Sequence, residues 1–119
     1  MAEERLRILA SVERMEAWLQ KSLERAPKYI RFPVYAQMKA SAREMRRLII
    51  ECNFAREKSP YFTKIDMEIA LLKSDAHVMM ESRLITPGEF KVWSEHISKV
   101  GSQLGAWIKA INAARNQKR

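Results

Sequence analysis

Lys39, Arg43, Arg46 and Arg47 follow one another at intervals of four, three and one, which gathers them on one side of a helix. Like charges crowded in this way repel by a few tenths of a kcal/mol per pair. Such a grouping calls either for an anionic partner or for nearby acids. Arginine's planar fork engages two phosphate oxygens at once, so the chemistry on offer is phosphate recognition. Arg56, Lys58 and Lys64 carry the positive surface around the next loop. Two readings of these seven residues stay open here: a surface for nucleic acid or an acidic partner, and a solvated helix face with Glu44, Glu51 and Glu57 to balance it. Tyr29, Phe32, Tyr35 and Tyr61 flank the same segment. They suit either stacking on unpaired bases or closing the ends of a helical core.

Catalytic and metal chemistry find no comparable grouping. A metal site needs several converging ligands, and His77 and His96 each stand alone on their segments. His77 with Glu81 has the spacing of a weak surface ion pair. A glutamate three residues ahead of a histidine, as in di-iron bundles, is missing. Cys52 falls on an apolar stripe, where a thiol packs as a small hydrophobe. Asp66, Glu68, Asp75 and Glu81 are expected on a solvated face, paired with arginines of the preceding helix. With no glycine-rich phosphate loop and no serine nucleophile motif, the chain is expected to be neither an enzyme nor a cofactor binder.

The elements that must position the basic residues follow from apolar spacing. Phe90, Trp93, Ile97, Val100, Leu104, Trp107, Ile111 and Ala114 alternate three and four residues apart, which places all of them on one helical face. Phe62, Ile65, Ile69, Leu72, Ala76 and Met79 form a second seam. Met38, Ala42, Met45, Ile49 and Cys52 mark a third, and Ile8, Val12, Met15, Leu19 and Leu23 a fourth. Pro27 and Pro33 bracket a connector. Ser59-Pro60 reads as an N-cap followed by a first-turn proline, and Thr86-Pro87-Gly88-Glu89 as a capping box. These signals predict helices at about 2–25, 34–57, 60–83 and 87–114, followed by a flexible basic tail at 115–119.

Three glycines and four prolines in 119 residues are too few for the many turns of an all-β fold. The expectation is one all-α domain over 1–114, an antiparallel up-down-up-down four-helix bundle. Charged residues interrupt any leader-like run near Met1, and no stretch is apolar enough for a membrane span. A cytoplasmic protein is expected. The net charge of +8 is uneven: residues 27–64 carry nine Lys/Arg against three Glu, whereas 1–26 balance at five of each. A polyanionic partner follows from that bias, and the weaker idea of a membrane-surface helix does not, because the apolar faces are used in packing.

Several segments together resemble a known family: Pro27 to Phe32, Glu51-Cys52-Asn53-Phe54-Ala55-Arg56-Glu57-Lys58, Ile65-Asp66, Leu84-Ile85-Thr86-Pro87, and Val100 to Ile108. They are similar to the accessory variability determinant proteins of diversity-generating retroelements over about residues 27–112. The telling piece is Gly101 and Gly105, one turn apart and followed by Trp107. A glycine inside a helix costs about 1 kcal/mol against alanine, and close helix–helix approach is the expected reason. The resemblance implies a four-helix bundle assembled as a ring-shaped homopentamer with a basic surface. It further implies binding to a reverse transcriptase and its template-repeat RNA, and to the cDNA made from it, in adenine-mutagenic reverse transcription that diversifies a target gene. Gly101, Gly105 and Trp107 carry over as helix-packing positions. Bundles encoded by intervening sequences of bacterial 23S ribosomal RNA genes share the fold and stand second, because their second helix ends in an asparagine-rich, glycine-containing motif that is replaced here. A basic scaffold for an acidic protein is the remaining alternative.

Overall fold

The computed structural model describes residues 2–29 and 31–117, so Ile30 of the connector and Lys118 and Arg119 of the expected tail lie outside the described residues. Four helices follow in order: α1 (Ala2–Arg25), α2 (Phe32–Phe54), α3 (Ser59–Glu81) and α4 (Pro87–Gln117). Each packs against two neighbours in the cycle α1, α2, α3, α4 and back to α1. Short connections make successive helices antiparallel, which gives the expected all-α bundle, a rod of 55 × 22 × 20 Å.

The four apolar seams meet along the axis. Ile8, Val12, Met15 and Leu19 of α1, Met38, Met45 and Ile49 of α2, Ile65 and Leu72 of α3, and Trp93 and Trp107 of α4 are almost completely buried. A large apolar side chain so buried contributes roughly 1.5–3 kcal/mol, while an exposed ion pair is worth about 0–1 kcal/mol. The seams therefore fix how each helix is rotated, and the charges follow. Trp93 is met edge-on by Trp18 at 4.7 Å, and Trp107 by Phe62 at 5.1 Å. Edge-to-face pairing of this kind suits the ring quadrupoles. Trp18 thus packs inward on the core of its own chain.

Helix ends differ from expectation where a side chain or turn supplies the stop. α2 starts two residues early, at Phe32, because Pro33 sits in its first turn, where no amide proton is needed. It ends at Phe54 rather than Glu57, since Ala55 is extended (φ −79°, ψ 142°). The Lys58 ammonium folds back to donate to the carbonyls of Cys52 (2.9 Å), Asn53 (3.4 Å) and Ala55 (2.9 Å). A cation on the unsatisfied carbonyls of a helix C-terminus is favourable. Ser59 is already helical and does not hold the N-cap position; Lys58 does, and its side chain makes no capping bond to α3. Thr86 and Glu89 do form the predicted capping box: the Thr86 amide donates to Glu89 Oε1 at 3.0 Å and the Glu89 amide to Thr86 Oγ1 at 3.1 Å. α4 continues through Arg115 to Gln117, beyond the predicted end at Ala114.

α3 closes at Glu81 with a Schellman arrangement. The Leu84 amide reaches Met79 O (2.9 Å) and the Arg83 amide reaches Met80 O (3.0 Å). Arg83 occupies the left-handed position, φ 57°, which disfavours any residue with a Cβ. Arg83→Gly is expected to stabilise the bundle by about 0.5–1 kcal/mol, read as a higher urea midpoint with an unchanged slope. A lower midpoint would contradict this account of the turn.

Candidate nucleic-acid interface

The rotation that buries Met38, Ala42, Met45 and Ile49 turns Lys39, Arg43, Arg46 and Arg47 outward on α2. Arg43, Arg46 and Arg47 line one shallow depression of about 510 Å³ with Ala40, Glu44 and Ile50. The three arginines are therefore brought together, yet their electrostatic states differ. Lys39 and Arg43 form no ion pair among the described residues.

Arg46 bonds Glu16 of α1, with Nε at 2.5 Å from Oε2 and Nη2 at 3.4 Å from Oε1. That hydrogen bond, reinforced by the negative field of Glu16, holds the guanidinium more basic than usual. Arg47 is clasped by Glu44 and Glu51 on its own helix; its Nε lies 3.0 Å from Glu44 Oε2. The Arg47 bond keeps the Glu44 carboxyl below its ordinary value, against a weaker push from burial, and Lys64 helps. The four cations of this face are thus met by three carboxylates, so the cations left unpaired there are Lys39 and Arg43. Glu16 was missing from the sequence reading because it belongs to another helix. The partners expected from α3 are absent among the described residues: Asp66, Glu68, Asp75 and Glu81 form no ion pair with α2 arginines.

The basic surface continues around the end of the rod. Arg56 is exposed and without an ionic partner among the described residues. Lys58 is committed to the α2 carbonyls. Lys64 is exposed, its ammonium 5.7 Å from the Tyr61 ring centre. Arg56 and Lys58 line a cavity of about 230 Å³ with Phe62, Ile111 and Arg115. Arg115 reaches this place because α4 runs on past Ala114 to Gln117, where the sequence predicts a flexible tail. Phe54, 83% exposed, stands two residues from Arg56 and offers a free aromatic face. The sequence signal for it is an aromatic residue on the last turn of α2, off the apolar stripe.

The aromatics expected near the connectors divide. Tyr29 is 95% exposed and Phe32 is also exposed, while Tyr61 is half-buried. Tyr35 is fully buried, and its hydroxyl accepts from Arg31 at 2.7 Å. Arg31 also bonds Glu89 Oε2 at 2.5 Å, so the residue that caps α4 also ties it to the start of α2. Burial pushes the Glu89 carboxyl up, but the Thr86 amide and Arg31 outweigh it and hold it low. Cys52 is buried, and burial pushes its thiol up against the opposing field of Lys58. His77 stacks obliquely on Phe90 at 5.2 Å. Among the described residues no three His, Cys, Asp or Glu gather as metal ligands, and no helix is long and apolar enough to cross a membrane.

The glycine face of α4 is not packed by the other helices of the chain. A Cβ built on Gly101 or Gly105 meets nothing within 4 Å, so no helix of this chain approaches there. Leu104 and Trp107 take the inward positions, with 3% and 1% exposure, and the glycines fall on the outward side. Trp107 is a core residue as expected.

The bAvd-like family model matches residues 5–111. No curated protein and no solved structure matches the chain. The family match takes in the whole of α2 and α3 and nearly all of the apolar seams of α1 and α4. It agrees with the resemblance to the accessory variability determinant proteins of diversity-generating retroelements, and the chain belongs to the bAvd-like family.

Proposed function

We propose that this protein is a non-catalytic accessory subunit of a diversity-generating retroelement, acting in the cytoplasm on the reverse transcriptase and its template-repeat RNA or cDNA. The observation that carries this reading is the set of cations without acidic partners, Lys39, Arg43 and Arg56, on a chain of net charge +8. Arg46, Arg47 and Lys64 flank them. Arg47 exchanges carboxylate for phosphate at small cost, because exposed pairs are worth about 0–1 kcal/mol, whereas Arg46 is held by the mostly buried Glu16. Phe54 and Tyr29 supply stacking faces at the two ends of the rod.

Membership of the family supports association with a reverse transcriptase. The open glycine positions support assembly with further copies of this chain, a ring of five by the resemblance. Two glycines in a helix sacrifice about 1 kcal/mol each, and nothing within the chain occupies the space they leave. A neighbouring helix that approaches closely there would account for both facts.

Two experiments test the proposal. Anisotropy titration of a labelled single-stranded RNA is expected to show roughly ten- to a hundredfold weaker binding for Lys39→Gln/Arg43→Gln/Arg56→Gln. Lys21→Gln/Lys73→Gln/Lys91→Gln removes the same charge elsewhere and should change binding by no more than about threefold. Equal losses in the two variants, or no binding by the native protein at low salt, would reject the interface. For assembly, Gly101→Leu/Gly105→Leu improves intrinsic helix propensity, so loss of helix does not explain its result. The native protein should sediment as an oligomer and this variant as a 13.9 kDa monomer; a monomeric native protein or an unchanged variant would refute the glycine contact.

A further inference from the structure

A second grouping of cations lies away from the α2 surface, in the groove between α1 and α4. Ser11 and Arg14 from α1 and Val92, Glu95, His96 and Lys99 from α4 line a depression of about 270 Å³. Arg14 and Lys99 are exposed, and neither forms an ion pair among the described residues. Ser11 is only 3% exposed, and its Oγ has no hydrogen-bond partner among the described residues. A buried hydroxyl left unsatisfied is costly. The inward positions around it, Ile8, Val12 and Met15, are apolar, so alanine would serve the core better at residue 11. The hydroxyl has a use that the bundle itself does not supply.

His96 lines the same depression as Ser11, with its ring 5.6 Å from that of Trp18. Burial holds its imidazole below the ordinary histidine value of 6.5, Glu95 opposes that, and Lys99 and Arg14 push it down again. The groove therefore presents two cations, one carboxylate, an imidazole held below its ordinary basicity and a hydroxyl proton with no acceptor among the described residues. An oxyanion resolves all of these except the carboxylate, whose repulsion the two cations offset. It gives the cations a counter-charge, accepts from the hydroxyl, and draws a proton onto the imidazole, which then donates as well.

We propose that the α1–α4 groove binds a phosphate group, with Arg14 and Lys99 supplying charge and Ser11 Oγ and His96 donating hydrogen bonds. The volume suits a phosphoryl group with a small substituent; drug-sized ligands take pockets of about 300–1,000 Å³. The site is separate from the α2 surface and stands whether or not that surface binds RNA. Its phosphate comes either from a phosphodiester backbone or from a monoester or free phosphate. Binding is coupled to protonation of His96, so a phosphate of fixed charge binds more tightly as pH falls through the His96 pKa.

The test follows the imidazole resonances of the full chain by NMR, with His77→Gln to assign the only other histidine. Inorganic phosphate and dimethyl phosphate serve as probes for the two sources. Saturable shifts at His96 but not His77 are expected, with the His96 pKa rising toward or above about 6.5. Arg14→Gln/Lys99→Gln should weaken binding roughly tenfold, and Ser11→Ala about three- to tenfold. A response to dimethyl phosphate supports a backbone phosphate as the occupant, and a response to inorganic phosphate alone supports a monoester. Equal movement of both histidines, the same shifts from sodium chloride at matched ionic strength, or unchanged affinity in either variant would overturn the proposal.

Discussion

Closure of four apolar seams on one another places everything polar in this molecule. Ser11 and Ser22 are the buried polar side chains among the described residues, so the charged groups described here stay at the surface. The energies decide the order of events: each buried Trp, Ile, Leu or Met outweighs any single ion pair outside. Rotating α2 by one residue, about 100°, would carry Arg46 toward the core and Met45 into water. The same rotation that packs Met45 and Ile49 therefore aims Lys39 and Arg43 at solvent, and the surface charge pattern is a by-product of the core.

Features that depend on neighbours in sequence were legible in it. The seams of α3 and α4, the inward Trp93 and Trp107, and the Thr86–Glu89 capping box need only a helical repeat and a local turn. Features that depend on helix rotation were not. Arg46 finds Glu16 thirty residues away, and Arg31 finds Glu89 fifty-eight away; neither pairing leaves a trace in local spacing. The Lys58 clamp shortens α2 for a similar reason, since a lysine just past a helix reads as one more surface charge until its ammonium is seen on the last carbonyls. The cost of the α4 glycines is legible in the sequence, but the open space beside them is not, because it depends on how α4 is rotated in the bundle.

The cyclic order of the bundle separates its surfaces. α2 and α4 lie diagonally across the rod, so their outer faces point away from each other. The proposed association through Gly101 and Gly105 would leave Lys39, Arg43 and the Arg46–Glu16 pair uncovered, as the proposed contact with a phosphate strand requires. The α2–α3 end, where Arg56 and Arg115 line one cavity and Phe54 is exposed, adds cations and an aromatic face. Carboxylates temper the patch at Arg46 and Arg47, so its attraction for a strand comes from a few free cations acting with the excess positive charge of the whole chain.

That reliance on charge makes salt the most direct probe of the central claim. Affinity for a labelled single-stranded RNA, measured across a series of sodium chloride concentrations, should fall linearly on a double-logarithmic plot. The slope is about −0.7 for each neutralised phosphate, so engagement of Lys39, Arg43 and Arg56 gives a slope of at least about −2. An affinity that does not change with salt, or a slope unaffected by removing those three charges, would contradict a phosphate-binding surface on α2.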